Sequence, residues 1–472
     1  MSTISHDGRV QPLELGKTVF DFADDLAVEV PTSCGRNGKC HECVVEITVG
    51  MESLSPLSEF ESFLRGSYRL ACQAVVERVD REIHFKPLRR QPKILTLGQN
   101  KIHLDFDPMV TRQGLDVLYD GKVIDQYRGC IYGLAIDLGT TTVVVDLVNL
   151  ETGNSVDRLS FENPQRFGGS DVMHRISYDG GPHRGELQKA IVTAINRSIR
   201  TLSRARKFPR RAIYEIIVAG NSSMRDLLFG LDIQSIGQKP YKSTIEHEYL
   251  EGKRVSTELI ASAWELGFRA HRETRLYGLP LIGSHVGGDA AACLTAIDMA
   301  TVEGEVVMMV DVGTNTEVVI GNAKRMFAAS CPAGPAFEGG LVNYGMPGYE
   351  GAIDSIKFCP ENGSFDYTTI GDLPPEGLCG SGLIDLISEL RRHGRMTPKG
   401  VFQPDKNQSE IVVVPENEKL FSYQGNFEIT DMIVANSSSE VAVNMPTAFT
   451  LSAAYPNPFN PSTSISLHVP ME

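Results

Sequence analysis

Two sets of residues in this 472-residue chain have the types and spacing to do chemistry. The first is Cys34, Cys40, Cys43 and Cys72, a C-x5-C-x2-C pattern with the fourth cysteine 29 positions further on. Four thiolates converging on one small volume suit iron bridged by sulfide, and the Gly-rich loop between Cys34 and Cys40 can wrap backbone N–H groups round an anionic cluster. Arg36 and Lys39 would offset part of its negative charge. Structural zinc is the competing chemistry; zinc knuckles pair two short C-x2-4-C arms, whereas here the fourth cysteine stands alone.

The second set is a repeated turn. An apolar strand runs into Asp137, turns through Gly139, Thr140, Thr141 and Thr142, and leaves as a strand from Val143 to Val148. The glycine lets backbone approach a ligand, the threonine hydroxyls and turn amides are donors suited to phosphate oxygens, and Asp137 can hold Mg²⁺ through water. The order recurs at Asp311, Gly313, Thr314 and Asn315, with the two aspartates 174 positions apart, which reads as duplication of one supersecondary unit. One D-x-G-T alone also closes an ordinary hairpin; two such turns facing each other would grip one nucleotide.

The bulk numbers set bounds. Length allows two to four domains, and 42% apolar residues is an ordinary globular content. Net charge is −14, which disfavours a nonspecific nucleic-acid role. No apolar run approaches the roughly 20 residues that span a bilayer, and the polar start lacks a signal peptide's features, so a cytoplasmic protein with no membrane partner is expected. Nine cysteines, four of them within the first 72 residues, fit a reducing compartment with clustered metal ligands. Cys130, Cys293, Cys331, Cys359 and Cys379 read as small buried side chains.

The elements that must position these residues follow in order. Residues 1–88 read as a compact unit of short strands, Val19–Phe22, Val44–Val49 and Ile83–Phe85, around the cysteine loop. Arg89, Arg90 and Pro92 mark a boundary, and 89–130 a small linker with strand-like pieces at Ile102–Phe106 and Leu118–Tyr119. A long helix is expected from Glu186 to about Arg206, with Leu187, Ile191, Ile195, Ile199 and Leu202 on one stripe; its basic face reads as solvated, with docking of an acidic partner as the alternative. A strand at Ile213–Val218 runs through Gly220 and Asn221 into a helix, placing donors where an anion or polar ligand would sit. Asp289 opens an Ala-rich helix, a position that needs nothing beyond capping. Ser330–Gly340 reads as a rigid glycine and proline loop. Gly380, Ser381 and Gly382 lead a helix whose Leu383, Leu386, Ile387 and Leu390 are core, and glycines there would let an adenine ring lie against backbone.

The repeated turn resembles that of the actin, sugar-kinase and heat-shock-chaperone (ASKHA) ATPases, in which two such turns bind phosphates in an interdomain cleft. The N-terminal segment looks like a 2Fe-2S ferredoxin domain, although plant-type ferredoxins use C-x4-C-x2-C. Together with Glu162-Asn163-Pro164-Gln165, Ala219-Gly220-Asn221-Ser222-Ser223-Met224, Ala333–Gly339 and Gly380–Asp385, these motifs resemble the reductive activators of corrinoid proteins over about residues 10–400. The resemblance implies an α+β and α/β multidomain chain. It comprises a β-grasp ferredoxin-like domain (1–88), a linker (89–130), a duplicated ribonuclease H-like ATPase domain (131–404) and an atypical tail (405–472). It implies a 2Fe-2S cluster on the four cysteines, with ATP and Mg²⁺ at the two turns. It also implies a role for Asp289 in placing the hydrolytic water and Mg²⁺, alongside Asp137 and Asp311.

The implied activity is ATP-dependent transfer of one electron from the cluster to corrinoid Co(II), restoring Co(I). A ferredoxin-type cluster near about −400 mV needs help for that step, and ATP-driven conformational change would supply it. The implied partners are a corrinoid protein or corrinoid-dependent methyltransferase and an upstream reduced electron carrier, with a homodimer left open. A plain electron-transfer protein with an ATPase-like docking scaffold is the runner-up, and an ATP-coupled activator of another enzyme, such as a dehydratase, the third reading. Beyond Pro404 the strand and long Ala- and Lys-rich helix that close this domain in family members are not legible past Phe427–Asp431. Residues 449–467 instead resemble the opening of a C-terminal secretion-sorting β-sandwich, and the junction reads as a fused or frameshifted gene or a recent recombination.

Overall fold

In the computed structural model the chain divides into two compact units, Met1–Gln91 with Phe106–Asp289, and Pro92–Asp105 with Ala290–Glu472. The structure describes residues 2–6, 8–32, 34–88, 106–313, 315–332, 345–346, 348–397, 410–414, 421–424, 450–451 and 467–469.

The first unit opens on a five-stranded sheet in the order Arg9–Pro12, Thr3–His6, Ile83–Pro87, Val44–Val49, Tyr68–Leu70. Helix α1 (Val19–Asp25) packs on it. This corrects the strand expected at Val19–Phe22. Thr18 and Asp21 form a reciprocal capping box, and Val19, Phe20, Phe22 and Ala23 are buried at spacings that make one helical face, so a pattern that passes for alternation is a helix start. Arg69 and Glu61, 2% and 0% exposed, form a buried ion pair at 2.8 Å; Glu61 also accepts from the Leu70 N–H, two residues before Cys72.

The hydrophobic core of this sheet does not end at residue 88. It runs on into Phe167, Val172, Ile176, Tyr178, Leu187, Leu227, Ile233 and Ile236. The segment expected as a linker is likewise structured: Val110–Gln113, Asp116–Tyr119 and Lys122–Gln126 form a three-stranded sheet, and Val110 and Val117 are buried in the core of the next sheet. The piece expected at Ile102–Phe106 lies outside the described residues except for Phe106.

That next sheet has six strands in the order Ser155–Glu162, Thr142–Asn149, Tyr132–Leu138, Ile213–Ala219, Arg275–Gly278, Leu259–Ser262. The first three are an antiparallel meander, and Ile213–Ala219 pairs parallel to Tyr132–Leu138, setting Ala219 beside Asp137. Helices α2 (Val172–Asp179), α3 (Glu186–Ala205), α4 (Ser222–Leu228) and α5 (Thr244–Leu250) follow within the unit. The apolar stripe of α3, Leu187, Ile191, Ile195, Ile199 and Leu202, is wholly buried, each residue of that size contributing about 1.5–3 kcal/mol. Helix α6 (Gly288–Ala296) begins at the unit boundary, with Asp289 in its first turn.

The second unit repeats the meander as Val306–Val312, Asn315–Asn322 and Arg325–Pro332. Ser330 and Cys331 thus end a strand instead of opening a loop; residues 333–344 lie outside the described set. Two short tail strands, Leu467–Val469 and Thr450–Leu451, continue this sheet, the former antiparallel to Val306–Met308. Helix α7 (Gly380–Arg392) packs Leu386 and Leu390 against Ala352–Cys359, and its Leu383 is buried as well. Among the described residues no helix is long and apolar enough to cross a membrane.

Candidate functional site

The cysteine loop sets its four thiols in two pairs. Cys43 donates to Cys72 across 3.4 Å, and Cys34 neighbours Cys40. Burial opposes ionisation of Cys34, but hydrogen bonds from Cys40 and from the backbone N–H groups of Asn37 and Lys39 outweigh it and bring its thiol down to about 6. Cys72 is brought to about 6 by the Cys43 S–H, against burial, with help from the Gln73 amide and the Gly38 N–H. Its partner Cys43, holding the shared proton, is pushed up. No three His, Cys, Asp or Glu side chains among the described residues converge on a single ion. Two thiol pairs amid inward-facing N–H groups fit a two-iron cluster, one pair per iron, better than tetrahedral zinc. Gly38 is required for the wrap: it sits at φ +80°, and a Cβ there would meet the Phe60 ring at 2.8 Å.

The first turn is built from three backbone loops stacked without side chains between them. A Cβ on Gly139 would lie 2.5 Å from the Thr142 carbonyl, and one on Gly220 would lie 2.8 Å from that of Leu138. Gly287 packs directly on Asn221, where a Cβ would meet its Cα at 2.5 Å, and the Gly288 N–H donates to the Gly220 carbonyl at 2.9 Å. Asp289 is thereby brought to Asp137. Burial and then the Asp289 carboxylate push Asp137 up to about 7. Two interacting carboxylates, Asp137 near the carboxyl end of its strand and Asp289 in the first turn of α6, are what a cation relieves, and this end of an α/β sheet is where ligands bind.

Side chains that sequence reading left without this role hold the turn. Asn163 donates to the Gly139 carbonyl at 2.8 Å, and its own N–H donates to that of Thr141 at 2.6 Å. Asn221 caps α4 through its Oδ1, which accepts from the Met224 N–H at 3.0 Å, while its Nδ2 donates to the Thr140 hydroxyl at 3.1 Å. The N-terminus of α4 is therefore closed by its own cap and by Gly287, and the ligand position expected there is filled by protein. Fully buried Arg175 donates to the Thr140 carbonyl at 2.7 Å. The motifs at Glu162–Gln165 and Ala219–Met224 single out Asn163 and Asn221, but only the long-range fold shows what they brace, and nothing in the spacing points to Arg175.

In the second unit Asp311 is 6% exposed, and the Gly313 N–H donates to the Asn315 carbonyl at 3.1 Å, closing the turn. Thr314 lies outside the described residues. Gly380, Ser381 and Gly382 start α7; a Cβ on Gly382 would meet the Ile353 carbonyl at 2.3 Å, and the Ser381 hydroxyl donates to the Asp354 carbonyl. Gly382 is thus needed for helix-on-strand packing whatever else it does. The outer face of α3 is shared: Arg197 pairs with Glu29 of the cluster module, Glu186 with His41 at 2.9 Å and Arg206 with Asp157 at 2.8 Å, whereas Arg200 and Arg204 are exposed.

Fold and site together define an iron–sulfur electron-carrying module joined to an ASKHA-type ATPase fold. Comparison with known proteins is specific. Residues 3–77 match the 2Fe-2S iron-sulfur cluster binding domain, 132–302 the RACo middle region, and 305–442 the C-terminal domain of RACo, the ASKHA domain, which extends beyond Pro404. The chain is 32% identical over 425 residues to the corrinoid activation enzyme RamQ of Eubacterium limosum, covering 81% of this chain and 69% of that one. It is 26% identical over 232 residues to a [Co(II) methylated amine-specific corrinoid protein] reductase of Methanosarcina barkeri, covering 48% and 41%. A solved reductive activator for a corrinoid, iron-sulfur protein superposes with a TM-score of 0.58 at 25% identity, covering 88% of this chain and 78% of that one. The chain belongs to this family of corrinoid-activating enzymes.

Proposed function

We propose that this protein is an ATP-dependent reductive activator that returns an inactive corrinoid protein from Co(II) to Co(I). The observation that carries the reading is the joining, within one compact unit, of a four-thiol module, whose core runs on into helices α2, α3 and α4, and a glycine–threonine turn beneath a facing pair of aspartates. A 2Fe-2S cluster, when bound, supplies a one-electron carrier; Cys34, Cys40, Cys43 and Cys72 are its ligands in this proposal.

The remaining work falls to the chain itself. Gly139, Thr140, Thr141 and Thr142 present backbone N–H and hydroxyl donors to the nucleotide phosphates, and Asp137 with Asp289 holds Mg²⁺ through water. Asp311, Gly313, Thr314 and Asn315 carry the same chemistry and are assigned the same role, with Gly380, Ser381 and Gly382 assigned to the adenine. ATP drives the transfer by binding one conformational state more tightly than the other. The corrinoid protein is the acceptor, a reduced carrier the donor, and the cytoplasm the compartment.

The test is anaerobic reduction of a corrinoid protein by the cluster-loaded chain with and without Mg-ATP, repeated on Asp137→Ala. ATP-dependent formation of Co(I), lost in the variant while its cluster spectrum persists, is expected. Equal reduction with and without ATP would make the chain a plain electron carrier.

A further inference from the structure

Arg175 is a buried cation with an unusual set of partners. It is 0% exposed, and its donors go to the carbonyls of Gly169 (3.0 Å) and Thr140 (2.7 Å), the Gln165 side-chain oxygen (3.4 Å) and the Met224 sulfur (3.2 Å). All four acceptors are neutral, and among the described residues no carboxylate forms an ion pair with it. Burying a charge without a directly bonded counter-charge is costly: burial, aided by the Arg166 cation, pulls Arg175 down to about 9, against the more distant carboxylates of Asp171 and Glu162. The carbonyl it grips belongs to the turn assigned to the phosphates.

Three residues further along the same helix, and so on the same face, stands Tyr178. It is 1% exposed and its hydroxyl donates to the Phe63 carbonyl of the cluster module at 2.6 Å. The Phe63 ring stacks on His41, centroids 4.1 Å apart and planes at 20°, and His41 directly follows Cys40. Helix α2 thus touches the phosphate turn through Arg175 and the cluster loop through Tyr178 and Phe63, with one helical turn between them.

We propose that α2 transmits nucleotide occupancy to the cluster loop: Arg175, which has no ion-paired carboxylate among the described residues, takes the bound phosphates as counter-charge, and Tyr178 passes the resulting shift to Phe63 and His41. This rests on the reading that phosphates bind at Thr140. Neither residue touches the reacting atoms; both are positioning residues. The coupling is a difference between two states, and it is reciprocal in binding free energy, so whatever ATP does to the Phe63 contact that contact does to ATP.

The experiment is amide hydrogen exchange of the cluster-loaded chain with and without Mg-ATP, on the unaltered protein and on Tyr178→Phe, with calorimetry of nucleotide binding. Mg-ATP is expected to slow exchange around Cys40–Glu42 and Phe63–Leu64. In Tyr178→Phe, ATP still binds while that slowing falls by about fivefold or more, the lower end of ordinary coupling. Arg175→Met is expected to weaken ATP by about tenfold or more while weakening adenosine much less, because the lost charge acts on phosphates. Equal losses for ATP and adenosine would make Arg175 a structural residue and overturn the proposal. So would full ATP-dependent slowing in Tyr178→Phe. If the unaltered chain binds ATP without any change at those segments, this inference fails alone; if it binds no ATP, the nucleotide reading fails with it.

Discussion

The side-chain amide of Asn221 donates to the hydroxyl of Thr140 at 3.1 Å, joining residues 81 positions apart in the chain. One asparagine thereby starts a helix with its oxygen and steadies the glycine–threonine turn with its nitrogen. The two jobs can be separated by substitution.

Asn221→Asp keeps the capping oxygen and removes the donor to Thr140. Its unfolding free energy should stay close to that of the unaltered chain, while Mg-ATP affinity measured by calorimetry falls. Asn221→Ala loses both and should also lose about 1–2 kcal/mol in urea unfolding.

The carboxyl of Asp137 sits near 7, well above the ordinary value of 3.8. A raised acid favours the folded, nucleotide-free state below about pH 4, and this contribution is lost as pH rises through about 7. Metal needs the ionised form, so Mg-ATP affinity should fall by up to about tenfold per pH unit below 7 and level off above it. Titrations at three pH values check this. Asp289→Asn removes the facing charge and should move the break to lower pH.

Replacing any one of Cys34, Cys40, Cys43 and Cys72 by serine should abolish the visible absorbance and most of the bound iron and sulfide. Serine at Cys130, Cys359 or Cys379 should leave both intact. Iron and sulfide assays after anaerobic reconstitution decide it.

Glu61→Ala leaves the Arg69 guanidinium buried and unpaired. It should cost about 3–5 kcal/mol of stability in the cluster module. Because Glu61 also holds the Leu70 N–H, the variant should release its cluster faster on dilution into a chelator, read as decay of absorbance.

Much of the chemistry is legible in order and spacing alone. The four cysteines point to an iron–sulfur cluster, and residues 3–77 match a 2Fe-2S cluster binding domain, because ligand spacing on a short loop limits which thiols can converge. Recurrence of Asp, Gly and Thr between apolar strands exposes the duplication, and both meanders are present. The stripe of α3 is equally plain, since a period of 3.6 is a local property. Val19–Phe22 misleads because two turns of an amphipathic helix and a short alternating strand share the same first four residues, and the capping box at Thr18 and Asp21 decides between them.

What only the tertiary structure decided is everything that depends on residues distant in the chain. The cluster module shares its core with helices α2, α3 and α4, Asp289 faces Asp137, and Arg175 and Tyr178 reach Thr140 and Phe63 across 35 and 115 positions. Spacing along a chain dictates local geometry, whereas burial, counter-charge and the carboxyl at about 7 arise from which distant groups the packed core excludes water from and forces together. By itself the sequence determined which groups could hold iron and phosphate; the fold decided which other groups brace them.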